Sequence, residues 1–247
     1  MHKIVSITLF SFLILLLVFI GLFSSKKTEG EVLQSIDLQG CKLLSEKEYL
    51  LYANILAASD VRNYSVTSLR DKFLRHPYIK NVSVIKDVDN KVEVEIIEKS
   101  FEAVALLNDK LFLVTTEKKF VPVLPNTEVL DFPVLTNFSE NSASKEIEQS
   151  GELESAFTIL NSTKKLGEKL SQSISEINLR KGGDILLTLT RANSIIILGK
   201  QNLAEKIYTL DELLKQIGNK ISLTNANYID LRYANNIFIG ANESAGI

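Results

Sequence analysis

Pro77-Tyr78-Ile79-Lys80-Asn81-Val82-Ser83-Val84-Ile85-Lys86-Asp87-Val88-Asp89-Asn90-Lys91-Val92-Glu93-Val94-Glu95-Ile96 is the stretch in which the period of the chain changes from helical to alternating. Val82 and Val84, then Val92, Val94 and Ile96 interleaved with Glu93 and Glu95, put apolar groups on one face and charges on the other, as in half-buried strands. Asp87-Val88-Asp89-Asn90 supplies turn chemistry between them, so the segment reads as a hairpin. Upstream, Val66, Leu69 and Phe73 fall at i, i+3 and i+7, predicting a helix that runs to about Arg75 and is ended by His76-Pro77. Ser45-Glu46-Lys47-Glu48 has the Ser-x-x-Glu form of a capping box and starts an earlier helix, with Leu51, Ile55 and Ala58 as its apolar stripe. Val32 to Leu38 alternates as a strand and stops at Gly40. The order is strand, helix, helix, hairpin.

Beyond Phe101 the chain reads as mostly β. Ala103–Leu107 and Leu111–Thr115 flank Asn108-Asp109-Lys110 as a hairpin, and Phe120–Val123 follows a polar turn. Pro122, Pro125 and Pro133 predict that the stretch near Asp131-Phe132-Pro133-Val134-Leu135 is an extended crossing and not an inner strand. Ser139 to Gln149 has loop composition. Leu153, Phe157 and Leu160 mark a helix ending near Gly167, and strands are expected at Ser175–Leu179, Ile185–Thr190 and Ser194–Leu198. Lys181-Gly182-Gly183-Asp184 and Arg191-Ala192-Asn193 read as the turns between them. Asn202 is placed to cap a helix whose Leu203, Ile207, Leu210, Leu214 and Ile217 repeat at helical spacing. Tyr228–Tyr233 and Ile237–Ile239 close a hairpin over Asn235-Asn236.

Ile4 to Phe23 contains no charged side chain, and as a helix it would span about 30 Å, the thickness of a bilayer's hydrocarbon core. A cleaved secretory signal is the alternative, but the run exceeds the usual length of about 7–15 residues and no small-x-small site follows cleanly. Cys41 lies too far beyond it to mark a lipoprotein. Lys3 precedes the run while Lys26 and Lys27 follow it, so flanking charge slightly favours a cytosolic main body.

The chain carries 28 basic and 30 acidic residues. Removing Lys3, Lys26, Lys27 and Glu29 with the first thirty residues leaves 25 and 29, and nothing in that balance resembles the basic surface that nucleic-acid binding needs. One cysteine excludes an intramolecular disulfide framework. Asn-x-Ser/Thr at Asn63, Asn81, Asn137, Asn161 and Asn242 reads as chance in a chain rich in Asn and Ser.

Catalytic chemistry is not legible. His2 lies before the apolar run, and His76, beside a proline that ends a helix, reads as a surface or capping residue. One Cys and two His give no zinc pattern, and Gly182-Gly183 is too short to cradle phosphate. Asp230 and Arg232 fall on one side of a strand and are expected to form a structural ion pair, with Tyr228 beside them and Ile229 and Leu231 opposite. What remains is a binding surface: a last strand at Ile237 to Ile239 whose outer row of amides and carbonyls can template another chain's strand.

The order of the first segment, including the passage from Pro77 to Val82, resembles a POTRA domain. Along nearly its whole length the chain resembles the FtsQ/DivIB cell-division family. Glu98-Lys99 through Ala103 is similar to that family's Glu-Arg-x-Pro-Val-Ala join, and Phe132-Pro133-Val134-Leu135-Thr136 to its Leu-Pro-x-Leu-x-Gly. Leu198-Gly199-Lys200 precedes the long helix as in the family, and Ile229-Asp230-Leu231-Arg232-Tyr233 resembles its closing Val-Asp-Leu-Arg-Tyr. Phe101 stands where the family has proline, and Ala241 where some members place an aromatic.

The resemblance implies an α+β chain: a cytoplasmic tail at 1–3, a transmembrane helix at 4–23, a tether at 24–31 and a POTRA domain at 32–99. A β-rich domain with an open sheet and two helices follows at 100–240, then a tail at 241–247. It implies a non-enzymatic divisome scaffold without cofactor, nucleic acid or small-molecule substrate, single-pass in the bacterial cytoplasmic membrane at the division septum, with its bulk outside the cytoplasm. It also implies strand addition to FtsB, with FtsL, control of septal peptidoglycan synthesis, and contact with other divisome members through the POTRA domain. Carried over, the partner-binding residues are Tyr233 and Ile237, Phe238 and Ile239, with Arg232 and Tyr228 beside them, and Phe238 is the best local aromatic anchor. A membrane-anchored POTRA-type chaperone or transport subunit for exported polypeptides is the alternative.

Overall fold

The computed structural model describes residues 35–56, 64–87, 91–128, 131–138, 150–180, 183–190, 194–217, 226–234 and 236–241. The expected membrane helix at 4–23, its tail and tether, and the tail from 242 lie outside the described residues, as do the loop at 139–149 and the turn at 191–193. No described helix is long and apolar enough to cross a membrane. The chain divides into two units, Met1–Glu98 and Lys99–Ile247.

The first unit contains β1 (Ser35–Gln39), α1 (Glu46–Tyr52), α2 (Val66–Leu74), β2 (Ile79–Lys86) and β3 (Lys91–Glu98), with strand order β1-β3-β2. β1 runs parallel to β3, and β2 antiparallel to it. The alternation decides which face is inside: Val82, Val92, Val94 and Ile96 are buried, while Glu93 and Glu95 are exposed. Ser45 and Ser65 cap the two helices, their hydroxyls accepting from the amides of Glu48 (3.4 Å) and Ser68 (3.2 Å). Leu69 and Phe73 of α2 are buried as expected.

Two expectations for this unit need correction. The apolar stripe of α1 is not Leu51, Ile55 and Ala58. The helix stops at Tyr52, Asn54 takes a left-handed φ of 57°, Leu51 is exposed, Ile55 is buried beyond the helix and Ala58 is not described. Tyr49 is the buried residue instead, because its hydroxyl donates to Glu98 Oε1 (2.6 Å), which also accepts from the amides of Lys42 (2.8 Å) and Leu43 (3.0 Å). Burial, then the bond to Glu98, hold the Tyr49 hydroxyl well above its ordinary pKa. His76 is not at the surface but buried among the rings of Tyr49, Tyr52 and Tyr78 at 4.6, 4.3 and 5.3 Å. Its Nδ1 accepts from the Tyr78 amide (3.1 Å), which closes the turn into β2.

The second unit adds β4 (Phe101–Leu107), β5 (Lys110–Thr115), β6 (Phe120–Pro122), β7 (Val134–Thr136), α3 (Gly151–Leu166), α4 (Glu168–Ser171) and β8 (Ile174–Asn178). β9 (Ile185–Leu189), β10 (Ile195–Gly199), α5 (Leu203–Ile217), β11 (Ala226–Asp230) and β12 (Phe238–Ala241) complete it. The nine described strands form one sheet in the order β12-β11-β10-β9-β8-β7-β4-β5-β6. Asn108 and Asp109 take φ of 48° and 58°, the left-handed pair that a two-residue hairpin turn requires, and they join β4 to β5. Pro122 sits in β6, at one margin of the sheet, where a missing N–H is tolerated.

The expected crossing at 131–135 proves to be an inner strand. β7 lies between β4 and β8 and runs parallel to both. Pro133 does not prevent this, because it precedes the paired residues and contributes only its carbonyl, which accepts from Val104 N (3.0 Å).

Facing positions carry one apolar ladder across six strands: Ala105, Leu135, Ile177, Leu187, Ile196 and Ile229, all essentially buried. α3 covers that face with Leu153, Phe157 and Leu160, and α5 with Leu203, Ile207 and Leu210. The opposite face is open at its far end, where Ile195 and Tyr228 stand side by side and exposed. Two helices were expected in this unit; α4 is a short third one.

Candidate functional site

β11 and β12 form the outermost hairpin. They pair antiparallel with Tyr228 opposite Gly240, Ile229 opposite Ile239 and Asp230 opposite Phe238. Among the described residues β12 pairs only with β11, so its other side is an edge.

Period-two alternation sets what the hairpin presents. Ile229 faces the helices and is buried, and its partner Ile239 continues the same ladder into solvent at 48% exposure. On the other face, the Tyr228 ring lies over Gly240. A Cβ there would come within 2.2 Å of Tyr228 Cε1, so the ring fills the space a side chain would need. Tyr233 meets Phe238 edge to face, with centroids 5.3 Å apart at 79°, and both are about half exposed. Tyr233, Ile237, Phe238 and Ile239 therefore stand together as an exposed apolar margin, with Tyr228 behind it.

The hairpin loop is longer than the sequence suggests. Pairing with β12 stops at Asp230: Leu231 N still bonds Ile197 O on the β10 side (2.9 Å), while Arg232 N donates to Asp230 Oδ1 (3.0 Å) and not to β12. Asp230 and Arg232 form the structural ion pair expected of them, and Asp230 is only 5% exposed. The Arg232 guanidinium makes this burial tolerable. Nε donates to both Asp230 oxygens (3.0 and 3.1 Å), Nη2 to Oδ2 (2.6 Å) and Nη1 to Asp184 Oδ2 (2.9 Å). Those bonds hold the Asp230 carboxyl below its ordinary pKa against the opposing effect of burial, and they raise the guanidinium's own. Arg232 Cζ lies 5.7 Å from the centroid of the Tyr233 ring.

Asp184 and Gly199 are the members of this cluster that sequence reasoning missed. Asp184 reads as a turn residue, and nothing local connects it to a loop 48 positions away. Gly199 carried a signal in its place after an apolar strand, but the reason emerges only in three dimensions. Its φ is +73°, and an added Cβ would lie 3.2 Å from Arg232 Cγ.

The arrangement offers main-chain and apolar contact rather than bond-making chemistry. A cleft of about 600 Å³ between α4 and α5 is lined by Leu166, Leu170, Leu189 and Leu214 together with polar side chains, among them the Asp211–Lys215 ion pair (2.7 Å). Among the described residues no three His, Cys, Asp or Glu stand close enough to share a metal ion.

The family model described as cell division protein FtsQ/DivIB, C-terminal, matches residues 105–232, which is 128 of the 247 residues. A cell division protein FtsQ from Geotalea daltonii is 24% identical over 208 residues, covering 84% of this chain and 74% of its own length. One of the same name from Myxococcus fulvus is 23% identical over 187 residues, covering 75% of this chain and 65% of its own. The family match spans β4 to β11 and the residues that hold Arg232 in place. The chain belongs to the FtsQ/DivIB family of cell division proteins.

Proposed function

We propose that this chain is a non-enzymatic scaffold of the bacterial divisome that captures an FtsB-like partner, with FtsL, by adding the partner's strand to β12. One observation carries the reading: the ladder buried from Ala105 to Ile229 runs on to Ile239, which is exposed on a strand with one neighbour. A tenth strand would pair the free backbone and cover Ile237 and Ile239, while Tyr233 and Phe238 supply ring surface at the margin. Anchored by residues 4–23 with its two units outside the cytoplasm, the protein would hold that edge at the septum and help control peptidoglycan synthesis there. The first unit, read as a POTRA domain, contacts other divisome members.

Capture of the extracytoplasmic segment of the cognate FtsB by the full chain tests the reading. Tyr233→Ala should weaken it by about 2 kcal/mol, roughly thirtyfold in Kd, with an unchanged circular dichroism spectrum. Wild-type capture by both Tyr233→Ala and Phe238→Pro would contradict the proposal.

A further inference from the structure

We infer that Asp184 position-locks the docking edge from a distance, through Arg232. The inference rests on the edge reading above and adds a residue that touches neither the edge nor a strand laid against it. Asp184 immediately precedes β9, three strands from the margin. Its Oδ2 takes the one guanidinium nitrogen, Nη1, that Asp230 does not engage, at 2.9 Å.

A planar guanidinium bonded on three nitrogens has a fixed plane as well as a fixed position. That plane lies beneath Tyr233, and Tyr233 in turn stands edge-on to Phe238. A continuous series of contacts therefore runs from β9 through Arg232 and Tyr233 to the first residue of β12. Gly199 makes room for it, since its φ is +73° and an added Cβ would lie 3.2 Å from Arg232 Cγ, close enough that the arginine stem would have to shift by a few tenths of an ångström.

Asp230 alone fixes the guanidinium relative to its own strand end, through Nε and Nη2. Asp184 ties that pair to the segment before β9 as well, so the start of the loop is held from two sides. Residues 231–234 are then ordered before a partner arrives, and the partner does not bear the cost of ordering them.

The test uses the full chain with Asp184→Ala and Asp184→Asn, read by capture of the cognate FtsB segment and by amide hydrogen exchange at residues 231–234. Asp184→Ala should weaken capture about threefold, the scale of one partly exposed ion pair. It should also speed exchange at residues 231–234 while Leu187 and Ile196 in the ladder exchange as before. Asp184→Asn keeps an oxygen for Nη1 and should restore both readouts. Unchanged loop exchange in Asp184→Ala overturns the inference, as does an Asn variant that behaves like the Ala variant. Failure of the wild-type chain to capture the segment would count against the docking reading instead, and loop exchange would still decide the positioning role.

Discussion

Glu98 shows how much one side chain can hold. It closes β3, and a single oxygen accepts the amides of Lys42 and Leu43 and the hydroxyl of Tyr49, tying the β1–α1 connection and α1 to the sheet. Glu98→Ala leaves the buried hydroxyl without its acceptor and should cost the first unit about 2 kcal/mol in a denaturant titration, whereas removing Glu95 on the solvated face should cost little. Cys41, with its thiol pushed up to about 11 chiefly by burial, should react slowly with thiol reagents at pH 8 in the folded chain and quickly in denaturant. Asp230 carries a pH dependence of definite sign. Its native pKa is lowered by Arg232, so its contribution is complete above the ordinary carboxylate pKa and is lost as pH falls through the lower native value. Acid titration of Asp230→Asn beside the wild type should show the stability gap closing only in that low window. The Asp230–Arg232 pair was legible at its two-residue spacing, but the role of Glu98 and the second partner of Arg232 were not, because Lys42, Leu43 and Tyr49 lie about fifty positions from Glu98 and Asp184 lies just before β9.

At the scale of elements, regular periodicity was legible and local exceptions were not. Val92, Val94 and Ile96 on β3, and Leu203, Ile207 and Leu210 on α5, are buried as their spacing predicts. The Ser45 cap and the Asn108-Asp109 turn depend only on neighbouring residues, so they too could be read directly. β7 could not, because three prolines argue for an edge while parallel pairing on both sides depends on β4 and β8, which are distant in sequence. His76 was misread for a similar reason: only the fold brings three tyrosines around it. The ladder gives this scale its prediction. Leu135→Ala, at a fully buried inner position, should destabilise the second unit by about 3 kcal/mol, while Ile239→Ala, at the exposed end of the same row, should change stability by less than about 0.5 kcal/mol and act on partner capture instead.

At the scale of the molecule, two units with separate sheets follow one another along the chain, and helices cover a single face of the larger sheet. Hydropathy alone suggests an anchor at 4–23, and flanking charge favours a cytosolic body; the proposed scaffold requires the opposite orientation, so a reporter active only outside the cytoplasm, fused after Gly240, should be active in cells. The edge itself was legible: the strand expected at Ile237–Ile239 is β12, which among the described residues pairs only with β11. Beyond the Asp230–Arg232 pair its surroundings were not, because the approach of Asp184 and Gly199 to Arg232 belongs to the tertiary structure. The most direct test of strand addition is amide hydrogen exchange across β12 in the full chain, with and without the cognate FtsB segment. The account predicts new protection at the amides of residues 238–241 that face away from β11; capture of the segment with exchange at β12 unchanged would contradict it.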